Sequence, residues 1–209
     1  MTVIDHITIT APTLEAGTKL VEDALGVSPQ KGGEHPKMGT HNLLLRIGNT
    51  LFLEVIACNP NAEKPKRPRW FALDEIKHDT PAMLKTWVVR TTDIYTSLER
   101  CSESIGNIEP ISRGETQWLI TIPEDGSLPI NEGAPALIQW QDNDSHPASK
   151  LNDYGFSLKK LQIYHPEPKR LLYFLNSIGL KDSVEIIEAD KIRFIAIIDT
   201  PEGIKTLGL

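Results

Sequence analysis

The sequence predicts an α+β protein of repeated βαβββ modules that pair into a cup. Three observations carry this reading. Hydrophobic periodicity switches between 2 and about 3.6 residues in a recurring order. Gly, Pro, Asn and Asp collect between the periodic segments. The β-then-α order returns three times along 209 residues. One such module leaves a sheet face bare, so a second must cover it, and two together close a cup.

The first module spans residues 1–58. Val3 to Thr10 alternates with period 2 and reads as a strand, with His6, Thr8 and Thr10 on one face. After Pro12, Thr13 is placed to cap a helix whose Leu14, Val21, Ala24 and Leu25 recur at helical spacing, and Gly26 ends it. The stretch Pro29 to Gly32 supplies a short edge strand, and His41–Ile47 with Thr50–Ala57 reads as a hairpin about Gly48-Asn49. Residues 59–83 form a linker. The second module, 84–140, offers a strand at Leu84–Arg90, a capped helix over Asp93–Ile105, and strands at Thr116–Ile122 and Pro135–Trp140. A second linker, 141–157, leads to a third βα-type module, 158–209. Its expected elements are a strand at Leu158–Tyr164, a helix from about Glu167 to Ile178 ended by Gly179, and strands at Ser183–Glu188 and Lys191–Ile198.

Composition removes several function classes. The net charge is −6, opposite to the excess of Lys and Arg with which nucleic-acid binders displace counterions. The one dense basic run, Lys64 to Arg69, is broken by two prolines and reads as an extended linker. Cys58 and Cys101 have no metal-type spacing and do not make a disulfide framework. No apolar run approaches the roughly 20 residues of a spanning helix, so no membrane partner is expected. MTVIDHITIT enters a strand pattern at once rather than an export signal, and a cytoplasmic location is expected. P-loop, GxGxxG, GxSxG and HExxH motifs are all absent.

Among the polar residues, Glu54 stands out because it lies inside the apolar run LFLEVIA, where an unpaired carboxylate is costly to bury. Arg46, Lys85 or a metal ion would be its partner. His6, among threonines, reads equally as a hydrogen-bonded structural histidine. Arg69 and Trp70 in RPRWF, and Arg113 and Trp118 in SRGETQW, pair a carboxylate- or phosphate-clamping group with an apolar wall. Fastening of the linker to the sheets is the alternative for these four. His41 opens a strand, His35 and His146 are weaker candidates, and His78 and His165 read as surface or linker residues.

The segments IDHITITAPTLEAG, GGEHPKMGTHNLLLRIGNTLFLEVIA and RPRWFALD, with ISRGETQWLITIPEDGSLP, APALIQW and HPASKL further on, resemble the glyoxalase-like domain of the vicinal oxygen chelate superfamily. The resemblance covers about residues 3 to 165. It implies paired modules whose curved mixed sheets enclose a metal or ligand cavity, with His6 and Glu54 as the first-module pair; His41 would complete a two-His, one-carboxylate set as a third ligand, or else cap the end of its strand. One divalent ion (Mn, Fe, Ni or Zn) would bind there, or none. His6 and Glu54 would then be catalytic in a lyase, isomerase or dioxygenase acting on a small oxygenated substrate. Arg69, Trp70, Arg113, Trp118 and Gln139 would contact that substrate, and a homodimer is the expected assembly. The second module departs from the pattern, with Lys85, Thr86 and Trp87 near the place of His6 and Gln139 in that of Glu54. A metal-free protein of the bleomycin-resistance type, which binds or sequesters a small molecule, is therefore the alternative.

Overall fold

The computed structural model describes residues 2–141, 146–180, 182 and 184–208. Its first module runs β1 (Thr2–Thr10), α1 (Leu14–Leu25), β2 (Gln30–His35), β3 (Thr40–Arg46) and β4 (Phe52–Cys58). A 3-10 segment, Trp70–Glu75, precedes β5 (Met83–Thr91), α2 (Ile94–Glu99), β6 (Asn107–Arg113), β7 (Thr116–Ile122) and β8 (Ala136–Trp140). A short 3-10 turn at Pro147–Lys150 leads to β9 (Ser157–His165), α3 (Pro168–Ser177), β10 (Val184–Glu188), β11 (Arg193–Thr200) and β12 (Gly203–Leu207).

Strands β2-β3-β4-β1-β5-β8-β7-β6 form one curled mixed sheet of eight. In each half the last strand lies parallel to the first, β4 against β1 and β8 against β5, and the halves meet through the antiparallel pair β1–β5. The C-terminal block has the same element order but different wiring. Its sheet runs β10-β9-β11-β12, so the strand after the helix lies directly beside β9 rather than at the far edge.

Local signals account for most boundaries. Thr13 Oγ accepts the Ala16 N–H and caps α1, while Gly26 closes it at φ 78°. Asp93 caps α2 in the same way, but that helix stops at Glu99, well short of the expected Ile105. Residues 100–106 bring two serines and end in a glycine at φ 96°, which ends helical continuation. Strand β6 was hidden in the sequence by Pro110; it forms the edge of the sheet, where a missing N–H costs no ladder bond. The strand expected from Ser183 begins at Val184, Ser183 lying outside the described residues, as do residues 142–145 of the second linker.

Two apolar cores result. The larger lies behind the eight-stranded sheet, where Ile7, Val55 and Trp87 meet Val21 and Leu25 of α1, Phe174 of α3 and Phe194 of the small sheet. The smaller lines the concave face with Phe52, Trp70, Phe71, Trp118, Ile120, Ile138 and Trp140. Among the described residues, no helix is long and apolar enough to cross a membrane.

Candidate functional site

Strand parity decides which side chains reach the concave face. On β1 the residues alternate until a bulge: the pairing with β5 runs Ile4 to Val89 and then His6 to Val88, skipping Asp5. This extra residue lets Ile4 join the rear core while His6 still faces the cavity. Thr8 follows on the same face. On β3 and β4 the register pairs Leu44 with Glu54 and Asn42 with Ile56, so Asn42 and Glu54 are diagonal neighbours on the concave side.

His6 and Glu54 are each 5% exposed, and His6 Nε2 lies 3.6 Å from Glu54 Oε2. The other ring nitrogen, Nδ1, is 2.7 Å from Asp5 Oδ1, and the imidazole stacks on Phe52 with centroids 4.5 Å apart. Glu54 is satisfied by neutral donors, Asn42 Nδ2 at 2.6 Å and Thr8 Oγ at 3.3 Å. This corrects the expectation of Arg46 or Lys85 as its partner. Those two pair with Asp153 and Glu132 instead.

Asp5 is wholly buried and gathers four donors. Besides His6 these are Trp140 Nε1 at 2.9 Å, His146 Nε2 at 3.1 Å and Arg90 at 3.4 Å. Burial by itself would raise its carboxyl, but the hydrogen bonds and positive potential of His146 and His6 outweigh that and hold it well below the usual carboxylate range. The Ala148 N–H points at His146 Nδ1, so His146 carries its proton on Nε2, toward Asp5. The short Pro147–Lys150 turn brings this histidine to the site.

Arg113, at the end of β6, reaches across from the second half. Its guanidinium donates to Asn42 Oδ1 (3.3 Å), sits 5.9 Å from the centroid of Trp118, and forms no ion pair with a carboxylate among the described residues. Burial lowers its pKa from the ordinary value while Glu54 opposes that; an arginine keeps its charge regardless. Asn42 thus bridges Glu54 and Arg113. Gly33 on β2 makes this possible, because a Cβ there would lie 2.6 Å from Arg113 Cδ. His35 also lines the cavity, its Nδ1 3.0 Å from Thr40 Oγ, and burial followed by the charge of Arg113 pushes its pKa down to about 3. Trp70, Phe71, Trp118 and Trp140 complete the walls. The space between these walls is about 20 Å³, room for about one water.

Other expected residues are not brought here. His41 pairs with Ala57 and has the opposite parity to Asn42, so it faces α1, where Glu15 acts on it. Gln139 likewise turns to the rear, its Oε1 accepting the Ile94 N–H at the start of α2; Ile138 and Trp140 are the residues β8 gives to the cavity. Arg69 is fastened to Asp74 at 2.5 Å and to the Gly39 carbonyl, and it holds the linker rather than the cavity. His165 is fully buried rather than a surface residue, bonded to the Ile130 carbonyl and the Glu167 N–H.

The donor set also bears on a metal. His6 and Glu54 supply two ligands, and Asp5 orients His6 as an outer-shell carboxylate would. Catalytic zinc sites keep three protein ligands, and among the described residues no three His, Cys, Asp or Glu side chains are arranged so that they could hold one ion. The residues present therefore do not fit a tightly held resident ion.

Comparison with known proteins adds the family. A glyoxalase-like domain model matches residues 4–179, and no curated protein matches. A crystal structure of a hypothetical protein from Staphylococcus aureus superposes with a TM-score of 0.67 at 17% identity, covering 92% of this chain and 88% of that one. Methylmalonyl-CoA epimerase from Mycobacterium tuberculosis aligns with a TM-score of 0.43 at 12% identity, over 66% of this chain and 85% of its own. The Streptomyces coelicolor epimerase in complex with 2-nitronate-propionyl-CoA gives 0.43 at 17% identity, over 66% and 97%. The family model spans both halves of the cavity-forming sheet, and this chain belongs to the glyoxalase-like domain family.

Proposed function

We propose that the protein binds a small oxygenated anion in this cavity, its aromatic walls parting to admit it, and moves a proton on it, in an isomerase- or lyase-type reaction. The observation that carries the reading is the facing of two groups: the Glu54 carboxylate on the floor and, across Asn42, an arginine with no carboxylate partner among the described residues. Arg113 would hold a carboxylate or a developing enolate oxygen. Glu54, fixed by Asn42 and Thr8, would take the proton from the adjacent carbon. Asp5 would hold His6 with its proton on Nδ1, leaving Nε2 toward the substrate and Glu54. No step requires a metal ion.

Straight-chain 2-oxo carboxylates offer the matching chemistry, and exchange of their C3 hydrogens for deuterium in D₂O is the direct assay. Enzyme-dependent exchange is expected, and Arg113→Ala should weaken binding of the same acids about 10- to 100-fold, the worth of a hydrogen-bonded charge. Binding without exchange would sink the catalytic reading. The aromatic walls favour one second reading, sequestration of a small apolar molecule. Under it, Glu54→Gln would leave every measurable property of the bound ligand unchanged.

A further inference from the structure

The concave face continues past the acid–base floor. Thr8 pairs with Thr86 across β1–β5, so Thr86 faces the same side as Thr8 and Glu54, one step toward the far end. On β8 the cavity face runs Trp140, Ile138, Ala136, and on β7 it runs Trp118, Ile120, Ile122. The first two residues of each row line the cavity already described. The third, with Thr86, lines a second and more apolar one closed by Ile105 and Leu128.

Trp70 and Phe71 lie between the two and line both. Their rings stack 5.4 Å apart at 14°. The backbone beneath them is unusual: Phe71 (φ 56°, ψ 28°) and Ala72 (φ 53°, ψ 29°) are consecutive left-handed residues without glycine, a conformation that bulky side chains adopt only when surroundings impose it. The Ala72 N–H donates to the Gly126 carbonyl at 2.8 Å, and Gly126 is itself required, since a Cβ there would lie 2.1 Å from the Arg69 carbonyl oxygen.

The second compartment also carries unmet hydrogen bonds. Thr86, which lines this compartment, is 1% exposed and Trp70, which lines both, 3%; among the described residues neither Trp70 Nε1 nor Thr86 Oγ has a partner. Buried polar atoms are rarely left so, and each such group calls for an explanation, a bound ligand or a water being the simplest. As it stands the space is about 10 Å³, at the lower limit for one water.

We infer that the Trp70–Phe71 stack is a removable partition, and that the ligand is an anion with an unbranched apolar tail and an oxygen partway along it. The anionic head lies at Arg113, the tail runs over Thr86 toward Ile122 and Ala136, and its oxygen meets Trp70 Nε1 and Thr86 Oγ. The head placement rests on the proposed function; the tail compartment stands on its own observations.

The test uses two probe series on the full chain: 2-oxo carboxylates of three to eight carbons, and primary alkanols of the same lengths, which lack the head. Affinity in both series should tighten about three- to fourfold per added methylene, with NMR shifts at Thr86, Ile122 and Ala136. Ala136→Leu, which fills the compartment, should flatten both series while leaving three-carbon acid binding unchanged. Phe71→Gly relieves the left-handed strain and removes half the partition, and should tighten the long members of both series. Length-independent affinity, or an unchanged slope in Ala136→Leu, would overturn the inference and mean that the space holds a structural water only. Short acids lost in Arg113→Ala with a flat length series would uphold the proposed function and reject the tail compartment. A sloped alkanol series without acid binding would do the reverse.

Discussion

The two halves of the eight-stranded sheet share one wiring and differ in chemistry. On the concave face the first half presents His6, Thr8, Asn42 and Glu54, whereas the second presents Val88, Ile120, Ile138 and Trp140. Arg113 brings a charge to this cavity from the second half, and Arg90 of β5 brings another to Asp5. Pairing of two modules supplies a cup whatever its lining, so polar groups need to be built on one side alone. The other side is then free to be an apolar wall, which lowers the local dielectric and strengthens every interaction on the polar side.

The largest predicted effect follows from that division. Glu54→Gln keeps the hydrogen-bonding shape but removes the base, and deuterium exchange into a turned-over 2-oxo acid should fall about 10²- to 10⁴-fold with the melting temperature little changed. Moving the charge across the sheet should not rescue it. Ile138→Glu places a carboxylate where no Asn42 or Thr8 waits, and urea unfolding should show a loss of about 4 kcal/mol, as expected for an unpaired buried charge. A variant of wild-type stability would show the halves to be less distinct than they look.

Asp5→Asn comes next, because it leaves two histidines and an arginine facing a neutral amide. Stability should fall by about 3 kcal/mol. Its pH dependence has a definite sign. A carboxyl held below its ordinary value of 3.8 contributes stability that is full above that value and is lost as pH falls toward the folded-state value. Acid titration of unfolding should therefore be steeper below pH 3.8 in the native protein than in the variant. At neutral pH the smallest effect concerns His35, whose contribution appears only in acid. With a folded pKa of about 3 against 6.5 unfolded, the unfolded chain alone takes up a proton in that window. Stability should decline as pH falls from 6.5 to 3, and His35→Gln should remove that part of the slope.

Much of this was legible in the residues. Alternation in Val3–Thr10 put His6 and Thr8 on one face, and the charged Glu54 inside an apolar run advertised a buried carboxylate in need of partners. The identity of those partners was not legible. Asn42 reaches Glu54 diagonally across a hairpin, and no spacing rule gives that register. His41 and Gln139 failed on parity, since a one-residue error sends a strand side chain to the opposite face. Asp5 was missed for a related reason. Plain alternation would turn it away from His6, and only the bulge brings the two together.

That bulge acts as a frame shift written into the geometry of β1. Upstream of it, Ile4 is read into the rear core; downstream, His6 is read into the cavity. Without it the two would share a face, and either the core or the site would lose its residue. A one-residue deletion between Thr2 and Asp5 would leave the composition of the strand almost intact yet force this choice. The strand therefore depends on its length as much as on the identity of its residues, since a change in length exchanges its two faces.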